Sequence, residues 1–461
     1  MQLERVIAAL APKDVIGRAP VELSDLAYDA GRVRPGALFF CVPGGRFDGH
    51  DFADDAIGRG AVALVVERPL EVGVPQLVVG DARRAMAQAA VEFFGDPTSQ
   101  LVVVGVTGTN GKTTTAHLLH AILTAAGKRP GLLGTVETRV GGERRPAVRT
   151  TAEAIDLQRT FREMVGAGNL SCAMEATSHG SELRRLDGVR FAALVFTNLT
   201  QDHLDFHGTM DNYFEAKRRL FGPGVPAAVN VDDAHGRRLA AELPDALTFG
   251  FADDADIRPD ALEGVELKLR GRFNVENALG ALAAAQLLGI DRSTAAAGLE
   301  SVTAVPGRFE EVDEGQPFTV LVDYAHTPDA LANVLRTAHE LGGRVLCVFG
   351  AGGDRDREKR SQMGAVAGEL ADLVIVTSDN PRSEEPRAII EEIVRGATGD
   401  VLVEPDRRRA IERALGEARP GDVVVIAGKG HEQGQEFADR TLPFDDREVA
   451  REALRRLQVE A

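Results

Sequence analysis

The chain has 461 residues, enough for about three domains of ordinary size. Its 44% hydrophobic and 27% charged residues are those of a soluble globular protein with filled cores. Fifty-three basic residues stand against 70 acidic ones, a net charge of −17, which argues against a surface that coats nucleic acid or an anionic membrane. An anionic substrate would therefore need local islands of basic side chains. Cys41, Cys172 and Cys347 lie far apart inside apolar runs, with neither metal-ligand spacing nor a disulfide framework, as in a reducing cytoplasm. The run from Val6 to Ala11 is too brief for a signal peptide, and no apolar stretch is long enough to span a bilayer. The expectation is a soluble, cytoplasmic protein.

Residues 1–99 read as a compact α/β unit, with strands over 37–42 and 61–66 and a helix over 51–59 between them. Tyr28-Asp29, the turn at 32–36 and Asp48-Gly49-His50 are loops. The turn chemistry of Phe94-Gly95-Asp96-Pro97 places a boundary before residue 100.

At 101–115 the sequence is LVVVGVTGTNGKTTT. An unbroken apolar run ends in a Gly- and Thr-rich turn, and an amphipathic helix follows, with Leu118, Leu119, Ile122 and Leu123 on one face and Gly127 as its stop. Strand, tight loop and helix N-terminus in this order form a phosphate cradle. Backbone N–H groups over Gly108, Thr109, Asn110 and Gly111 converge on the anion, and the helix end adds partial positive charge. Lys112 would reach the β/γ-phosphates and Thr113, followed by Thr114, would place a hydroxyl on Mg²⁺. The generic motif has glycine where this chain has Val106, so glycines at 105, 108 and 111 make a variant. The bland alternative is a Gly-rich turn with a solvated lysine. The expected ligand is a nucleoside triphosphate.

Strands and helices alternate from 100 to 304, with further buried strands over 170–174, 191–196 and 227–231 and a long helix over 271–289. Val305-Pro306-Gly307 sets the next boundary. Residues 305–461 repeat the alternation, with strands over 319–322, 344–349, 373–377 and 423–427, and read as a separate dinucleotide-fold-like domain.

Ligands of open α/β sheets sit past the carboxyl ends of the strands. Six such ends here carry polar, Gly-rich or charged clusters after the phosphate loop: those at Glu175, at 197–208, at Asp323, at 350–355, at 378–382 and at 428–432. Glu175 is a hard carboxylate suited to Mg²⁺, or else a helix cap. His203 stands among Asp202, Asp205 and His207, a grouping that favours a metal or phosphate role over a satisfied loop histidine.

The segments TGTNGKTTT, RTTAEAIDLQ, MEATSHG, TNLTQDHLDFHGTMDNYFEAK, GRFNVENALGA, VPGRFE, DYAHTPDAL, FGAGGDRDREKR, SDNPRSEEP and AGKGHE follow in the order seen in the Mur ligases, which the chain resembles over nearly its full length. The resemblance implies an α/β protein of three domains: an N-terminal uridine-binding domain (1–99), a central P-loop parallel-sheet ATPase domain (100–304) and a C-terminal Rossmann-like domain (305–461). It implies an ATP-dependent, ADP-forming amide ligase of cytoplasmic peptidoglycan precursor synthesis. ATP phosphorylates a substrate carboxylate, and an amine then displaces phosphate from the acyl phosphate. Charge building on phosphates and carboxylate requires cations.

Residue by residue, Lys112, Glu175, His203 and Lys217 resemble the catalytic set, and Thr113, Glu175, His203 and a carbamylated Lys217 the Mg²⁺ ligands. From residue type alone Lys217 would be a surface lysine on a helix. Asn274 and Asn277, at i and i+3, resemble adenine-side contacts; Arg308, Asp323 and His326 resemble the family's other nucleotide contacts. Thr150, Thr151, Thr177 and Arg185 match contacts to the UDP-MurNAc-dipeptide, and Leu183 stands where some relatives carry glutamine. The usual Tyr-Asp-Ser-Arg of the uridine site reads Tyr28-Asp29-Ala30-Gly31, so Ala30 lacks the hydroxyl, with Arg32 adjacent as a substitute.

Asp379, Asn380, Pro381 and Arg382 form the motif associated with meso-diaminopimelate, whose distal carboxylate an arginine fork pairs with in a bidentate manner. Arg355, Gly428 and Glu432 match the remaining contacts, Glu432 facing the distal ammonium. The implied partners are these small molecules alone, with neither nucleic acid nor membrane, on a monomeric enzyme. The alternatives are a sister ligase adding L-lysine or another amino acid or acting on a folate, and a nucleotide-gated binding protein that has lost catalysis.

Overall fold

A computed structural model describes residues 1–17, 20–45 and 47–460. The chain divides into two compact units, residues 1–106, 127–194 and 219–226 forming the first and 107–126, 195–218 and 227–461 the second. This partition cuts across the sequence boundaries at 99/100 and 304/305. The α/β class expected from the sequence is the class observed.

In the first unit a five-stranded sheet runs in the order Asp14–Ile16, Gln76–Val78, Ala61–Val66, Ala37–Phe40, Asp25–Ala27. All neighbours are parallel except Asp14–Ile16, which lies antiparallel on Gln76–Val78. The expected strands at 37 and 61 are buried end to end or nearly so, which is why they read as unbroken apolar runs. The helix expected over 51–59 is a 3-10 turn, Gly49–Phe52, followed by a short α-helix, Ala53–Gly58. Also in this unit Ser171–Glu175 lies parallel between Val102–Thr107 and Pro130–Leu133, and an antiparallel ladder through Glu137–Val140 and Glu143–Pro146 continues the sheet.

In the second unit the helix Lys112–Ala125 starts at Gly111, whose φ of +85° no β-branched residue adopts without strain. Three consecutive threonines are poor helix formers, and they are tolerated in its first turns because all three are buried. The helix Arg272–Leu287 packs against it, as does Arg292–Glu300, where Gly298 meets the backbone of Ile122.

The C-terminal sheet has the order Glu310–Glu311, Thr319–Asp323, Val423–Ala427, Val345–Phe349, Leu373–Val376, Val401–Val403. Its last five strands are parallel. Apolar clusters cover both faces, one built on helices Pro328–Glu340, Glu358–Leu370 and Pro386–Val394, the other on Arg407–Glu417 and Asp446–Glu460. Four parallel strands therefore end at one rim and deliver Asp323, Gly350, Thr377 and Gly428 there. A two-stranded hairpin, Gly434–Glu436 with Thr441–Pro443, stands after the last of these loops. Among the described residues no helix is long and apolar enough to cross a membrane.

Candidate active site

The phosphate loop of the second unit is held from behind. Thr109 Oγ1 accepts from the Thr200 N–H (3.0 Å) and contacts Tyr213 Oη (3.1 Å), while Asn110 N–H donates to Asn198 Oδ1 (2.9 Å). A methyl at Gly108 would collide with Thr197 Oγ1 and one at Gly111 with Asn277 Oδ1, so both glycines are required by close approach. Lys112 Nζ donates to the carbonyls of Thr109 (2.7 Å) and Gly108 (3.1 Å). Residues from the last third of the chain reach the same loop: Asn110 Nδ2 donates to Asp329 Oδ2 (2.9 Å) and Arg308 Nη2 to Thr113 Oγ1 (3.0 Å). Arg308 also lies 4.3 Å above the Tyr324 ring, and its Nη1 is buried without a hydrogen-bond partner among the described residues. A buried, unsatisfied guanidinium N–H beside a phosphate loop is a donor awaiting an anion.

Asn277 Oδ1 accepts from Thr115 Oγ1 (3.3 Å), its Nδ2 donates to Asn274 Oδ1 (3.2 Å), and Asn274 Nδ2 donates to the Arg270 carbonyl (2.8 Å). The two asparagines thus form one chain of amides behind the loop. Both oxygens of Asp323 accept backbone N–H groups, from Ala325 (2.7 Å) and Phe309 (2.6 Å), so this residue braces the strand end that presents His326.

Lys217 corrects the reading by residue type. It is 1% exposed rather than on the surface. Its Nζ donates to the Gly108 carbonyl (2.8 Å), the acceptor that Lys112 also uses, and lies 4.5 Å from the centre of the Tyr213 ring. Burial first, and the Lys112 charge second, push its ammonium well below the ordinary lysine range against the opposing charge of Asp202. Both effects favour the uncharged amine, the nucleophilic form of a lysine.

Asp202 is the hub that sequence reading placed near His203 without a role. Its carboxylate faces His203 Nε2 (3.3 Å), His326 Nε2 (3.6 Å) and Lys359 Nζ (3.6 Å). Burial alone would raise this carboxyl, but the neighbouring His326, His203 and Lys359 hold it well below the usual carboxylate range. Lys359 was missed although it lies within DREKR; a buried lysine in the first turns of a helix leaves no periodic signal.

For Mg²⁺, the Thr113 hydroxyl and the Glu175 carboxylate are hard oxygen donors and fit, whereas the Lys217 ammonium fits only once converted to an anion. Among the described residues no three His, Cys, Asp or Glu side chains form a metal-binding group. Mg²⁺ at phosphate sites takes only one or two carboxylates besides phosphate oxygens and water, so it needs no such cage.

At the C-terminal rim, Asn380 stands at the centre. Its Oδ1 accepts from Lys429 Nζ (2.8 Å) and Glu436 N–H (3.0 Å), and its Nδ2 donates to Glu432 Oε2 (2.8 Å), which also accepts from Lys429 (2.9 Å). Burial would raise the Asp379 carboxyl, but Lys429 and Arg407 outweigh it and hold it below the ordinary range. Gly428 has φ +114°, and a methyl there would stand 2.6 Å from Asp379 Oδ2. Arg382 donates from Nη1 to the Gly353 carbonyl (2.7 Å) and from Nε to Glu436 (2.9 Å); Gly353 in turn leaves no room for a side chain against the Pro381 carbonyl. Arg355 is exposed, with Nη1 on the Asp354 carbonyl (3.1 Å). Beneath these loops the buried Arg407 donates to Asp446 through Nε (2.8 Å) and Nη2 (2.7 Å) and to the Ala427 carbonyl (2.9 Å). Arg407, Asp446 and Lys429 were not foreseen, since their partners lie far along the chain.

In the first unit the expected threonines form one chain. Thr150 Oγ1 contacts Thr135 Oγ1 (2.9 Å), which donates to Glu175 Oε2 (3.0 Å), and Glu175 Oε1 accepts from Thr135 N–H (2.7 Å). Thr151 Oγ1 donates to the Glu175 carbonyl (2.9 Å) and accepts from Thr177 Oγ1 (3.0 Å). Arg185 donates from Nη1 to the Thr151 carbonyl (3.2 Å) and pairs with Glu153 (2.8 Å), which also holds Arg83 (3.2 Å) and Arg149 (3.1 Å). Three guanidiniums on one buried carboxylate make the basic island that an anionic substrate requires in so acidic a chain. Ala30 turns its methyl into an apolar cluster with Ala37, Phe39 and Ala56, and the exposed Arg32 stands 3.7 Å from Asp29.

Three family models match: the Mur ligase family catalytic domain over residues 22–94, the Mur ligase middle domain over 106–285, and the Mur ligase glutamate ligase domain over 307–430. The UDP-N-acetylmuramoyl-L-alanyl-D-glutamate--2,6-diaminopimelate ligase of Geobacillus thermodenitrificans is 45% identical over 99% of each chain. The protein of that name from Solibacter usitatus is 47% identical over 95% of this chain and 94% of its own. A solved structure of a ligase of that name is 33% identical, with TM-score 0.65 over 96% of both chains. MurF from Acinetobacter baumannii, at 20% identity and TM-score 0.64, shares the fold. Models over three successive segments and near-full-length identity above 40% place the chain in the Mur ligase family.

Proposed function

We propose that this chain is the ATP-dependent ligase that joins meso-diaminopimelate to UDP-N-acetylmuramoyl-L-alanyl-D-glutamate in peptidoglycan precursor synthesis, acting in the cytoplasm. The observation that carries the reading is the pair of lysines on the phosphate loop, the part-buried Lys112 and the buried Lys217 on one carbonyl, in a chain with relatives of that activity. ATP binds through the backbone of Gly108 to Thr114, with Lys112 and the unsatisfied Arg308 N–H on its phosphates and Asn274, Asn277, Asp323 and His326 on the nucleoside side. Residues 1–99 take the uridine, 100–304 hold ATP, and 305–461 select the amino acid.

A carboxylate oxygen of the dipeptide attacks the γ-phosphorus, the bond to ADP breaks, and an acyl phosphate forms. The neutral amine of diaminopimelate attacks the acyl carbon, phosphate leaves with that oxygen, and the amine gives up a proton. Mg²⁺, when bound, neutralises phosphate charge, and Thr113, His203 and Lys217 as a carbamate would hold it. Lys217 suits carbamate formation because burial shifts it toward the uncharged amine: nitrogen adds to CO₂ and one proton leaves. Thr150, Thr151, Thr177 and Arg185 orient the dipeptide, and Ala30 contributes only backbone to the uridine site. Arg382 pairs with the distal carboxylate of diaminopimelate, with Asp379, Asn380, Pro381, Arg355, Gly428 and Glu432 around it.

The test is phosphate release with ATP, Mg²⁺, the UDP-sugar dipeptide and a panel of amino acids. Release that requires both the dipeptide and meso-diaminopimelate supports the reading. Equal use of L-lysine would overturn the amino-acid assignment, and release without any amino acid the ligase assignment.

A further inference from the structure

The guanidinium of Arg382 can take a carboxylate with two parallel bonds along either of two edges, Nε with Nη2 or Nη1 with Nη2. Both edges are half occupied. Glu436 Oε2 sits on Nε at 2.9 Å, and the Gly353 carbonyl on Nη1 at 2.7 Å. The Glu436 contact is built by the backbone: Arg382, at φ +52°, donates its N–H to the Glu436 carbonyl (3.1 Å), and Glu436 N–H donates to Asn380 Oδ1 (3.0 Å). The hairpin strand Gly434–Glu436 is thereby laid along the loop 379–382, and a carboxylate is delivered to the fork meant for substrate.

We propose that Glu436 is a specificity-determining residue for the amino-acid substrate: its carboxylate is a resident competitor for Arg382 that the distal carboxylate of diaminopimelate must displace. This rests on the reading of Arg382 as the diaminopimelate contact. Its consequence is twofold. Affinity for diaminopimelate is lower than a bare fork would give, because one charge-assisted bond is exchanged rather than gained. Discrimination against L-lysine is weaker too, because bound lysine leaves the guanidinium paired with Glu436 instead of stranded.

Glu436 is half exposed, so the contact it makes is that of a partly solvated ion pair. Glu436→Gln and Glu436→Ala keep the backbone bonds and remove the charge. Both should lower KM for meso-diaminopimelate by about two- to fivefold, leave KM for ATP and the melting temperature unchanged, and widen the preference for diaminopimelate over lysine. An unchanged or raised KM for diaminopimelate in both variants overturns the inference, a rise meaning that Glu436 instead binds the substrate's ammonium. If the wild type fails to use meso-diaminopimelate, the specificity reading falls and this inference with it. If the wild type uses it and the variants match the wild type, this inference alone falls.

Discussion

Asp446→Ala should destabilise the second unit sharply. Arg407 and Asp446 are both fully buried, and two bonds of 2.8 and 2.7 Å pair them. Burial opposes the guanidinium charge of Arg407, and the Asp446 carboxylate more than offsets that, so the guanidinium stays charged. Removing one partner strands a buried cation, which costs about 3–5 kcal/mol. In a domain of this size each kcal/mol shifts the melting temperature by about 2–4 °C, so a fall of about 6–20 °C is expected. The nearby Asp379, 3.7 Å away, limits the loss toward the lower figure. Because Arg407 also holds the Ser378 (3.4 Å) and Ala427 (2.9 Å) carbonyls, the loops bearing Asp379 and Gly428 loosen together. KM for the amino acid should therefore rise more than KM for ATP. The assay is urea unfolding of Asp446→Ala, Arg407→Met and the double variant. A coupling energy of about 2–3 kcal/mol is expected. Additive losses, or a single-variant loss below about 1 kcal/mol, would refute the reasoning.

Lys217→Ala should be nearly inactive, with partial recovery in short-chain carboxylic acids that replace the missing anion; full activity without them would sink the carbamate. Glu276 is raised to about 7 by burial and by Asp232, against the opposing Arg272 3.5 Å away. Between the unfolded value near 4.5 and the folded one, the native state holds the extra proton, so stability falls as pH rises through that window. Glu276→Gln should match the wild type at pH near 4 and exceed it by about 1–3 kcal/mol at pH near 8, read from denaturant midpoints. Equal midpoints at the higher pH would mean that Glu276 ionises normally.

The parallel strands were legible because burial on both faces leaves unbroken apolar runs: Val423–Ala427 and Phe191–Phe196 were located to the residue. The hairpin of Glu137–Val140 and Glu143–Pro146 was not, since ETRV and ERRP are polar and the second strand is exposed throughout. The phosphate loop was legible for a local reason: strand, glycines, lysine and helix are contiguous. Lys217 looked like a surface residue because its stretch of chain, YFEAKRRL, carries charge on both sides of it; its burial is tied to a carbonyl 109 residues away. Asp202, Lys359, Arg407 and Glu436 escaped for the same reason, each being defined by partners that only the fold brings near.

The central claim is that a carboxylate becomes an acyl phosphate before the amide forms. With ¹⁸O in the reacting carboxylate of the UDP-sugar dipeptide, ATP and meso-diaminopimelate, mass spectrometry of the released phosphate tests this directly. The account predicts one ¹⁸O atom in each inorganic phosphate and a product lighter by that oxygen; unlabelled phosphate alongside amide formation would contradict it.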